Sequence, residues 1–216
     1  REPDMTDLTV DVTDHVAVLR MAHGNDNRLH PDFVAELLAT LDELEADDGV
    51  GALVFTGADP KFFSNGLHLE WLMAHATDMD AMVAYMGGVN ALYRRVVLYP
   101  KPTVAALNGH TFAAGLFLAC HMDFRLMRED RGWVCLPEVD INIPLLPGMI
   151  AACEAVMSPA GFRRMYYTGA RLVASEALEI GLIDGMHAED QLLPKSVELA
   201  ATLAAKRTDT YGEMKR

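Results

Sequence analysis

The 216-residue chain has few cysteines, few basic residues and no long apolar run, and each shortage excludes a class of protein. Its three cysteines lie in apolar segments without metal-ligand spacing, which indicates reduced, buried thiols in a cytoplasmic protein. Against 18 lysines and arginines stand 31 acidic residues, and the net charge of −13 argues against nucleic acid or an anionic membrane as partner. No apolar span of about 18 residues occurs, so no membrane-spanning helix is expected.

Three further signals are missing. The polar segment Arg1-Glu2-Pro3-Asp4 is not followed by a long apolar run, so no signal peptide is expected. No Gly-x-Gly-x-x-Gly segment follows a strand, so no dinucleotide-binding loop is predicted. No clustered ligands indicate a metal site, and we expect none. The 51% of hydrophobic residues instead predicts a globular chain with one large core.

Apolar periodicity in the first two thirds of the chain predicts an α/β protein. The predicted elements up to residue 99 are a hairpin over 8–12 and 16–20, a helix from Pro31 to about Asp47, a buried strand over 50–55, and a helix over 69–99 that breaks at Thr77 and restarts with Thr77 as its cap. After Pro100 and Pro102 we expect a strand over 103–107, a short helix over 116–120 and a strand over 123–127.

Beyond Pro147 the pattern is helical almost throughout. Ser158 and Pro159 open a helix that ends at Gly169, Ser175 opens a second that stops at Gly181, and a last helix covers about 189–206. We therefore divide the chain into a strand-rich unit over 1–155 and a helical region over 156–216. Such a region often packs against a neighbouring subunit.

Two stretches of the sequence combine free backbone amides with polar or ionisable side chains. In the first, the strand over 103–107 is followed by the small-residue turn 108–115, a helix N-terminus and then Glu138. Free amides at a helix N-terminus can hold developing negative charge, and a carboxylate in an apolar setting can move a proton. The second stretch, 62–68, follows a buried strand and places Gly66 before an apolar helix. Together they predict an active site, although Glu138 alone is equally well explained as a surface acid.

Three segments in the same order resemble the crotonase, or enoyl-CoA hydratase/isomerase, superfamily. They are Lys61-Phe62-Phe63-Ser64-Asn65-Gly66-Leu67-His68-Leu69, then Asn108-Gly109-His110 with Gly115 and Cys120-His121-Met122-Asp123, and finally the helical segment Val173 to Asp184. The matching features extend from the hairpin through Asp184. The resemblance implies a crotonase-like spiral of ββα units with a C-terminal helical trimerisation region. It also implies a homotrimer or dimer of trimers, and an acyl-CoA thioester as substrate without a separate cofactor.

The resemblance further implies roles for individual residues. In this family the thioester oxygen sits between two backbone amides, which match Leu67 and Ala114 here. Relatives that hydrate a double bond use two glutamates, and the matching positions carry Phe117 and Glu138. Moving a double bond needs only one group, and Phe117 keeps water out.

The segment 131–140 and the Ser64-Asn65-Gly66 triplet resemble the Δ3,Δ2-enoyl-CoA isomerase branch, with Glu138 as the proton-transferring base. Two alternatives stay open. One is a hydratase in which His68 or His110 assists Glu138, and the other is a non-catalytic acyl-CoA binder.

Candidate substrate-binding residues follow from the same matched positions: Arg28, Leu29, Ser64, Asn65, Gly66, His68, Leu72, Phe112, Gly115 and Phe117. Arg28 stands where relatives contact coenzyme A and can attract a phosphate, although an exposed arginine without that task is about as well supported. His68 replaces the usual aspartate and is either a change in loop geometry or a polar group near the acyl chain. Leu72 and Met73 are candidate acyl-pocket walls. The methionines at 73, 79, 82 and 86 suit either such a pocket or ordinary core packing.

Overall fold

The computed structural model describes residues 7–216, so the polar segment over residues 1–4 lies outside the described part of the chain. Its first elements are β1 (Leu8–Thr13), β2 (Val16–Met21), α1 (Pro31–Ala46), β3 (Ala52–Gly57), β4 (Phe62–Ser64), α2 (Leu69–Ala74), α3 (Met79–Val97), β5 (Thr103–Leu107), β6 (His110–Phe112) and α4 (Ala114–Cys120). They are followed by β7 (Phe124–Arg128), β8 (Val134–Cys135), a 3₁₀ helix (Pro137–Val139), α5 (Pro147–Val156), α6 (Pro159–Thr168), α7 (Ala174–Glu179), β9 (Gly185–His187), α8 (Glu189–Ala204) and α9 (Thr208–Met214).

The strands form two sheets. Six belong to the main sheet in the order β1-β2-β3-β5-β7-β9, and three form a small sheet in the order β4-β6-β8. Apart from the antiparallel hairpin β1–β2, the strand pairs are parallel. From β3 onward the chain repeats one pattern three times, with a strand in the main sheet, a strand in the small sheet and then helix. The predicted α/β class and the succession of ββα units are confirmed.

Both faces of the main sheet are covered, which explains the continuous apolar run of β3. Leu53 and Phe55 point to the large core between the sheet and helices such as α1 and α3. Ala52 and Val54 point to a second cluster, where residues of α8 cover the opposite face. A strand that is buried on both faces needs apolar side chains at every position, because successive residues alternate between the faces.

Helix signals in the sequence placed several boundaries well. Pro31 is the first residue of α1, whose buried residues recur at spacings of three and four. Ser158 accepts a hydrogen bond from the Gly161 amide at the start of α6, and Gly169 ends that helix with φ +63°. The expected hairpin and the buried strands over β3, β5 and β7 are likewise confirmed.

Other details differ from the sequence-based expectations. The cap of α3 is Asp78, whose carboxylate accepts from the Ala81 amide at 3.0 Å, and not Thr77. α7 begins one residue before Ser175, at Ala174, with Val173 as its cap position. Beyond residue 155 the chain also contributes β9, which extends the main sheet beside β7, and α8, which packs on that sheet. Oligomerisation through 156–216 stays a prediction.

Candidate active site

One asparagine ties together the two loops that carry the matched motifs. Asn108 accepts a hydrogen bond from the Gly57 amide at 2.8 Å and donates to the Asp59 carbonyl at 2.7 Å. A Cβ on Gly109 would lie 2.3 Å from the Lys61 carbonyl oxygen, so only glycine permits this approach. The turn after β5 is therefore held against the loop that leads into β4.

The small sheet then brings three chain segments to one edge. Its strands β4, β6 and β8 run parallel, and their carboxyl ends lead into Leu67, Ala114 and Glu138 respectively. All three residues line one cavity of about 570 Å³. The sequence places these residues far apart, and the parallel pairing of three very short strands makes them neighbours.

The backbone amides of Leu67 and Ala114 are available to a ligand. Within residues 7–216 neither N–H donates to a protein acceptor, whereas the neighbouring Ala113 amide donates to the Cys135 carbonyl at 3.0 Å. A Cβ built on Gly66 would lie 3.3 Å from the Ala114 nitrogen, which shows how closely the two loops approach. Ala114 is also the first residue of α4, where N–H groups lack partners within the helix. Two unpaired donors on one cavity wall can hold a developing oxyanion.

The turn that presents the Ala114 amide contains a strained residue. Ala113 adopts φ 48° and ψ −122°, a conformation that glycine occupies readily and alanine rarely. Backbone strain of this kind costs about 1–3 kcal/mol and persists where the surroundings impose it. It fixes the direction of the following peptide, which carries the candidate oxyanion donor.

Replacing Ala113 with glycine is expected to raise the free energy of unfolding by about 1 kcal/mol. Relief of the strain, ~1–3 kcal/mol, exceeds the ~0.5–1 kcal/mol that glycine loses through its flexible unfolded state. Urea denaturation measures the change. Ala119→Gly, at a buried position in the last turn of α4, is the matched control and is expected to lose about 1 kcal/mol or more, because glycine removes a buried methyl group and adds freedom to the unfolded chain. If Ala113→Gly lowered the free energy of unfolding as much as Ala119→Gly does, this result would contradict the strain at Ala113.

Glu138 is buried in apolar surroundings. It lies in the 3₁₀ helix with 6% of its surface exposed, and its Oε2 has no hydrogen-bond partner within residues 7–216. Burial raises the pKa of this carboxyl to about 7, against an ordinary value of 4.5, because the charged form loses hydration. A carboxyl with such a pKa accepts and returns protons near neutral pH.

Several residues predicted from the sequence line the cavity together with Leu67, Ala114 and Glu138. They are Arg28, Asn65, Phe112 and Phe117. Arg28 is paired with the carboxylates of Asp26 and Glu70, so its charge is already balanced within the protein. Phe117 is 2% exposed and lies in α4 on the same cavity as Glu138.

Other predicted residues support the loops and do not line the cavity. The Ser64 hydroxyl is buried and donates to the Asn27 carbonyl at 2.7 Å, while a Cβ on Gly115 would lie 2.6 Å from Ser64. His68 accepts from the Trp71 amide at 3.1 Å and so caps α2. The Leu29 amide donates to the Gly66 carbonyl at 2.8 Å, and this hydrogen bond holds the segment that contains Arg28 against the loop over 62–68.

The expected acyl-pocket walls on α2 are also elsewhere. Leu72 is partly buried against the core, outside the cavity, and Met73 is 70% exposed. Met79 is as exposed as Met73, so these two methionines belong neither to an acyl pocket nor to the core. Met86, in contrast, lines the cavity. For Leu72 and Met73 the reason is the direction of α2, a six-residue helix without a buried residue, whereas Met79 is the exposed first residue of α3.

The wall that sequence reasoning missed comes from the segment after Glu138. Its apolar residues line the cavity: Ile141, Ile143, Pro144, Leu145, Leu146 and Met149. A signal existed in this succession of apolar residues, which continues for several positions beyond the catalytic candidate. Cys135 and Arg171 complete this side of the cavity, and the Arg171 guanidinium lies over the rings of Phe112 and Trp133.

Ionisable groups on the cavity wall are few. Among the described residues that line it, Glu138 is the single carboxyl, and the others are Arg28, Cys135 and Arg171. Burial raises the pKa of the Cys135 thiol to about 11, so it is protonated at neutral pH. His110 packs among Phe62, Phe112 and Trp133 and does not line the cavity. Neither His68 nor His110 therefore faces Glu138 across it.

Two absences complete the description of residues 7–216. Within this range no three or more histidine, cysteine or acidic side chains are grouped in a way that would hold a metal ion. None of the helices in the described part of the chain is long and apolar enough to cross a membrane. The three cysteines are free and buried, as expected from their surroundings.

Known proteins match both the sequence and the fold. The family model for enoyl-CoA hydratase/isomerase matches residues 11–216. Enoyl-CoA delta isomerase 2, peroxisomal, of Arabidopsis thaliana is 32% identical over 203 residues, which are 88% of this chain and 82% of that protein. A putative enoyl-CoA hydratase of Thermus thermophilus is 34% identical over 198 residues, covering 88% and 75% of the two chains.

Solved structures agree with this match. The structure of a probable enoyl-CoA hydratase from Mycobacterium tuberculosis superposes with a TM-score of 0.90 at 26% identity, covering 97% of this chain and 87% of that one. An enoyl-CoA hydratase from Mycobacterium marinum gives 0.88 at 27% identity, with 97% and 90% covered. The predicted crotonase-like fold is thereby confirmed, and the chain belongs to the enoyl-CoA hydratase/isomerase family of enzymes.

Proposed function

We propose that this protein is a Δ3,Δ2-enoyl-CoA isomerase that acts on fatty acyl-CoA thioesters. The observation that carries the proposal is that Glu138 is buried and is the single carboxyl among the described residues that line the cavity. Phe117 lines the same cavity and stands at the position that the family resemblance matches to the second glutamate of hydrating relatives. Moving a double bond requires one proton acceptor that later returns the proton, whereas adding water requires groups that position and activate a water molecule.

In the proposed mechanism, the ionised Glu138 takes a proton from C2 of a 3-enoyl thioester. The electron pair of that C–H bond forms a double bond between C1 and C2 as the carbonyl π pair moves to the thioester oxygen. The resulting dienolate keeps its C3–C4 double bond, which moves to C2–C3 only when C4 is protonated and the carbonyl re-forms. The amides of Leu67 and Ala114 stabilise this oxygen. Glu138 then returns the proton to C4, which yields the conjugated 2-enoyl thioester and regenerates the carboxylate.

The energetics of the cavity suit this mechanism. An apolar wall strengthens the interaction between the two amides and the developing charge, because little water competes for it. It also favours the neutral form of Glu138 between the two proton transfers, as its raised pKa indicates. The abundance of apolar side chains around the carboxyl therefore supports proton transfer and disfavours the hydrolysis or hydration of intermediates.

Absorbance tests the proposal directly. The protein is mixed with trans-3-hexenoyl-CoA and, in parallel, with crotonyl-CoA. New conjugated-enoyl absorbance from the first, with none lost from the second, is the expected result. Loss of the crotonyl-CoA signal would indicate hydration, the alternative supported by the similarity to the Thermus hydratase. No change in either, with binding by calorimetry, would indicate a non-catalytic acyl-CoA binder.

The pH dependence of turnover should follow the ionisation of Glu138. Since burial raises its pKa to about 7, the proton-accepting carboxylate is lost as pH falls through this value. We expect kcat/KM for trans-3-hexenoyl-CoA to be constant above about pH 8 and to fall about tenfold per unit well below pH 7. A profile that is flat down to about pH 5.5 would show an ordinary, solvated carboxyl or a different base.

Assembly and location are further proposals. We propose a homotrimer or a dimer of trimers, which the family resemblance implies and which light scattering of the purified protein tests. A monomer at micromolar concentration would contradict it. The cytoplasmic location also stays a prediction, since the Arabidopsis relative described above is named as peroxisomal.

A further inference from the structure

Helix α3 carries two buried tyrosines whose hydroxyls bind backbone groups of other elements. Tyr85 and Tyr93 are each 3% exposed and belong to the buried face of this 19-residue helix. Neither is among the described residues that line the cavity of Glu138. Because an unpaired buried hydroxyl costs free energy, the partner that each hydroxyl binds is a fixed feature of the fold.

Tyr85 fixes the backbone on both sides of the Leu67 amide. Its hydroxyl donates to the Leu29 carbonyl and accepts from the His68 amide at 3.1 Å. The Leu29 amide in turn donates to the Gly66 carbonyl at 2.8 Å. The C=O of Gly66 and the N–H of Leu67 belong to one planar trans peptide, in which the two groups point in opposite directions. Holding the Gly66 carbonyl on Leu29 therefore directs the Leu67 N–H to the other side, which is the side of the cavity.

Tyr93 fixes the backbone at the second candidate donor. Its hydroxyl donates to the Ala114 carbonyl at 2.9 Å. The preceding peptide, which contains the Ala114 N–H, is held through the Ala113 carbonyl. That oxygen accepts from the amides of Leu116 and Phe117 at 2.9 and 3.0 Å. Both peptides that meet at Ala114 are therefore fixed, one by α4 itself and the other by a side chain of α3.

We propose that Tyr85 and Tyr93 are positioning residues that set the spacing between the two candidate oxyanion donors, the amides of Leu67 and Ala114. This inference rests on the proposed function, in which those amides hold the thioester oxygen. The tyrosines are eight residues apart on one continuous helix, ~12 Å along its axis, so α3 is a common support for two loops that are distant in the sequence. A shift of either loop relative to α3 would break its hydrogen bond to a tyrosine.

Both hydroxyls act as hydrogen-bond donors and not as proton-transfer groups. Burial raises the pKa of each tyrosine above its ordinary value of 10, because the phenolate would lose its hydration. Both are therefore protonated at the pH at which Glu138 exchanges its proton, near 7. A substitution that removes only the hydroxyl should accordingly change the placement of the amides and leave the pH dependence of turnover unchanged.

Removing each hydroxyl tests the proposal. In Tyr85→Phe and Tyr93→Phe the ring stays and only the hydroxyl is lost. Each variant is expected to lower kcat for trans-3-hexenoyl-CoA about tenfold, because small displacements of catalytic groups weaken their interaction with the transition state. KM should change less than about twofold, since the apolar walls are untouched. The double variant is expected to lose about a hundredfold, because the two hydroxyls act on different amides.

Tyr99→Phe is the matched control, because it removes a buried hydroxyl directly after α3. That hydroxyl donates to the Leu41 carbonyl at 3.0 Å, and neither residue lines the cavity of Glu138. Urea denaturation is expected to show similar losses of stability in the three single variants, whereas the kcat of Tyr99→Phe stays unchanged. If Tyr85→Phe and Tyr93→Phe lost no more kcat than Tyr99→Phe does, the hydroxyls would serve stability alone, and the inference would be overturned.

A vibrational signal separates the placement of the amides from the isomerase reaction. Infrared difference spectra give the C=O stretching frequency of hexanoyl-CoA, labelled with ¹³C at the carbonyl, in the presence of each protein. Hydrogen bonds from two amides should lower this frequency from its value in buffer, and Tyr85→Phe and Tyr93→Phe should bring it back toward that value. Tyr99→Phe should match the unmodified protein.

The same spectra decide the inference if turnover is absent. An unmodified protein that converts no trans-3-hexenoyl-CoA would contradict the isomerase proposal, while a lowered C=O frequency that depends on Tyr85 and Tyr93 would still support their positioning role. Two results would overturn that role: a frequency in the unmodified protein equal to that in buffer, or a lowered frequency that both variants retain.

Discussion

Replacing Glu138 with glutamine is expected to reduce kcat for trans-3-hexenoyl-CoA by about 10³-fold, since general acid–base catalysis contributes ~10²–10⁴. The side chains have nearly the same shape, but an amide cannot accept the C2 proton. Among the described cavity residues no second carboxyl or histidine is present to take over the task. Thioester binding should persist, because it depends on the apolar walls and on the two amides.

The comparison of turnover with binding makes this test specific. Glu154→Gln on the exposed surface of α5 is the control and should leave kcat unchanged. Calorimetry with a saturated acyl-CoA should give similar dissociation constants for Glu138→Gln and the unmodified protein. Turnover above about a tenth of the original would exclude Glu138 as the base. Joint loss of turnover, binding and cooperative unfolding would point to misfolding.

The same substitution has a consequence for stability whose sign depends on pH. The pKa of Glu138 is about 7 in the folded protein and 4.5 ordinarily, so the folded state binds this proton more tightly than the unfolded state. Stability is therefore lost as pH rises from about 4.5 to about 7, because the carboxyl ionises first in the unfolded state. The penalty is constant above about 7 and absent well below 4.5. Glu138→Gln is expected to raise the free energy of unfolding by ~1–3 kcal/mol at high pH and by nothing at low pH.

Replacing Gly66 with alanine is expected to reduce kcat by about 10²-fold through the position of the two amides, since small displacements of catalytic groups have effects of this size. A Cβ on Gly66 would lie 3.0 Å from the Ala113 Cβ, 3.2 Å from the Phe112 carbonyl and 3.3 Å from the Ala114 nitrogen. The methyl group would push the loop of Leu67 away from that of Ala114. Neither amide is itself removed, so the effect reports their spacing.

Backbone strain alone must be separated from this displacement. Gly66 has φ +93°, so alanine is strained there whatever the space. Gly181, at the end of α7, has φ +82° and only contacts of 3.9–4.0 Å. Gly181→Ala is therefore expected to lose similar stability, ~1–3 kcal/mol, without a change in kcat. Urea denaturation measures the stability of both variants, and steady-state kinetics measure their kcat. An equal loss of kcat in the two variants would exclude a particular role for the spacing between the loops of Leu67 and Ala114.

Local sequence signals were sufficient for much of the architecture. Several elements have a local physical cause that is visible in the sequence. These causes are a proline at the start of α1, a serine cap and a left-handed glycine at the two ends of α6, and continuous apolar runs in β3 and β5. The loops over 62–68 and 108–115 and the isolated carboxyl at 138 could be recognised as a candidate site for the same reason. Glycines, free helix amides and an acid among apolar residues keep their chemical character in any fold.

Only the tertiary structure decided how these parts meet. Strands β4, β6 and β8 have three, three and two residues, too short for any periodic pattern, yet their parallel pairing brings Leu67, Ala114 and Glu138 to one cavity. The pKa of Glu138 likewise depends on its burial. The apolar residues that follow it are visible in the sequence, but no local pattern shows that they line the same cavity. Side chains of α2 could not be assigned to a wall, because the direction of a short exposed helix depends on distant contacts. Sequence alone determined which groups are available, and packing decided which of them share one largely apolar cavity.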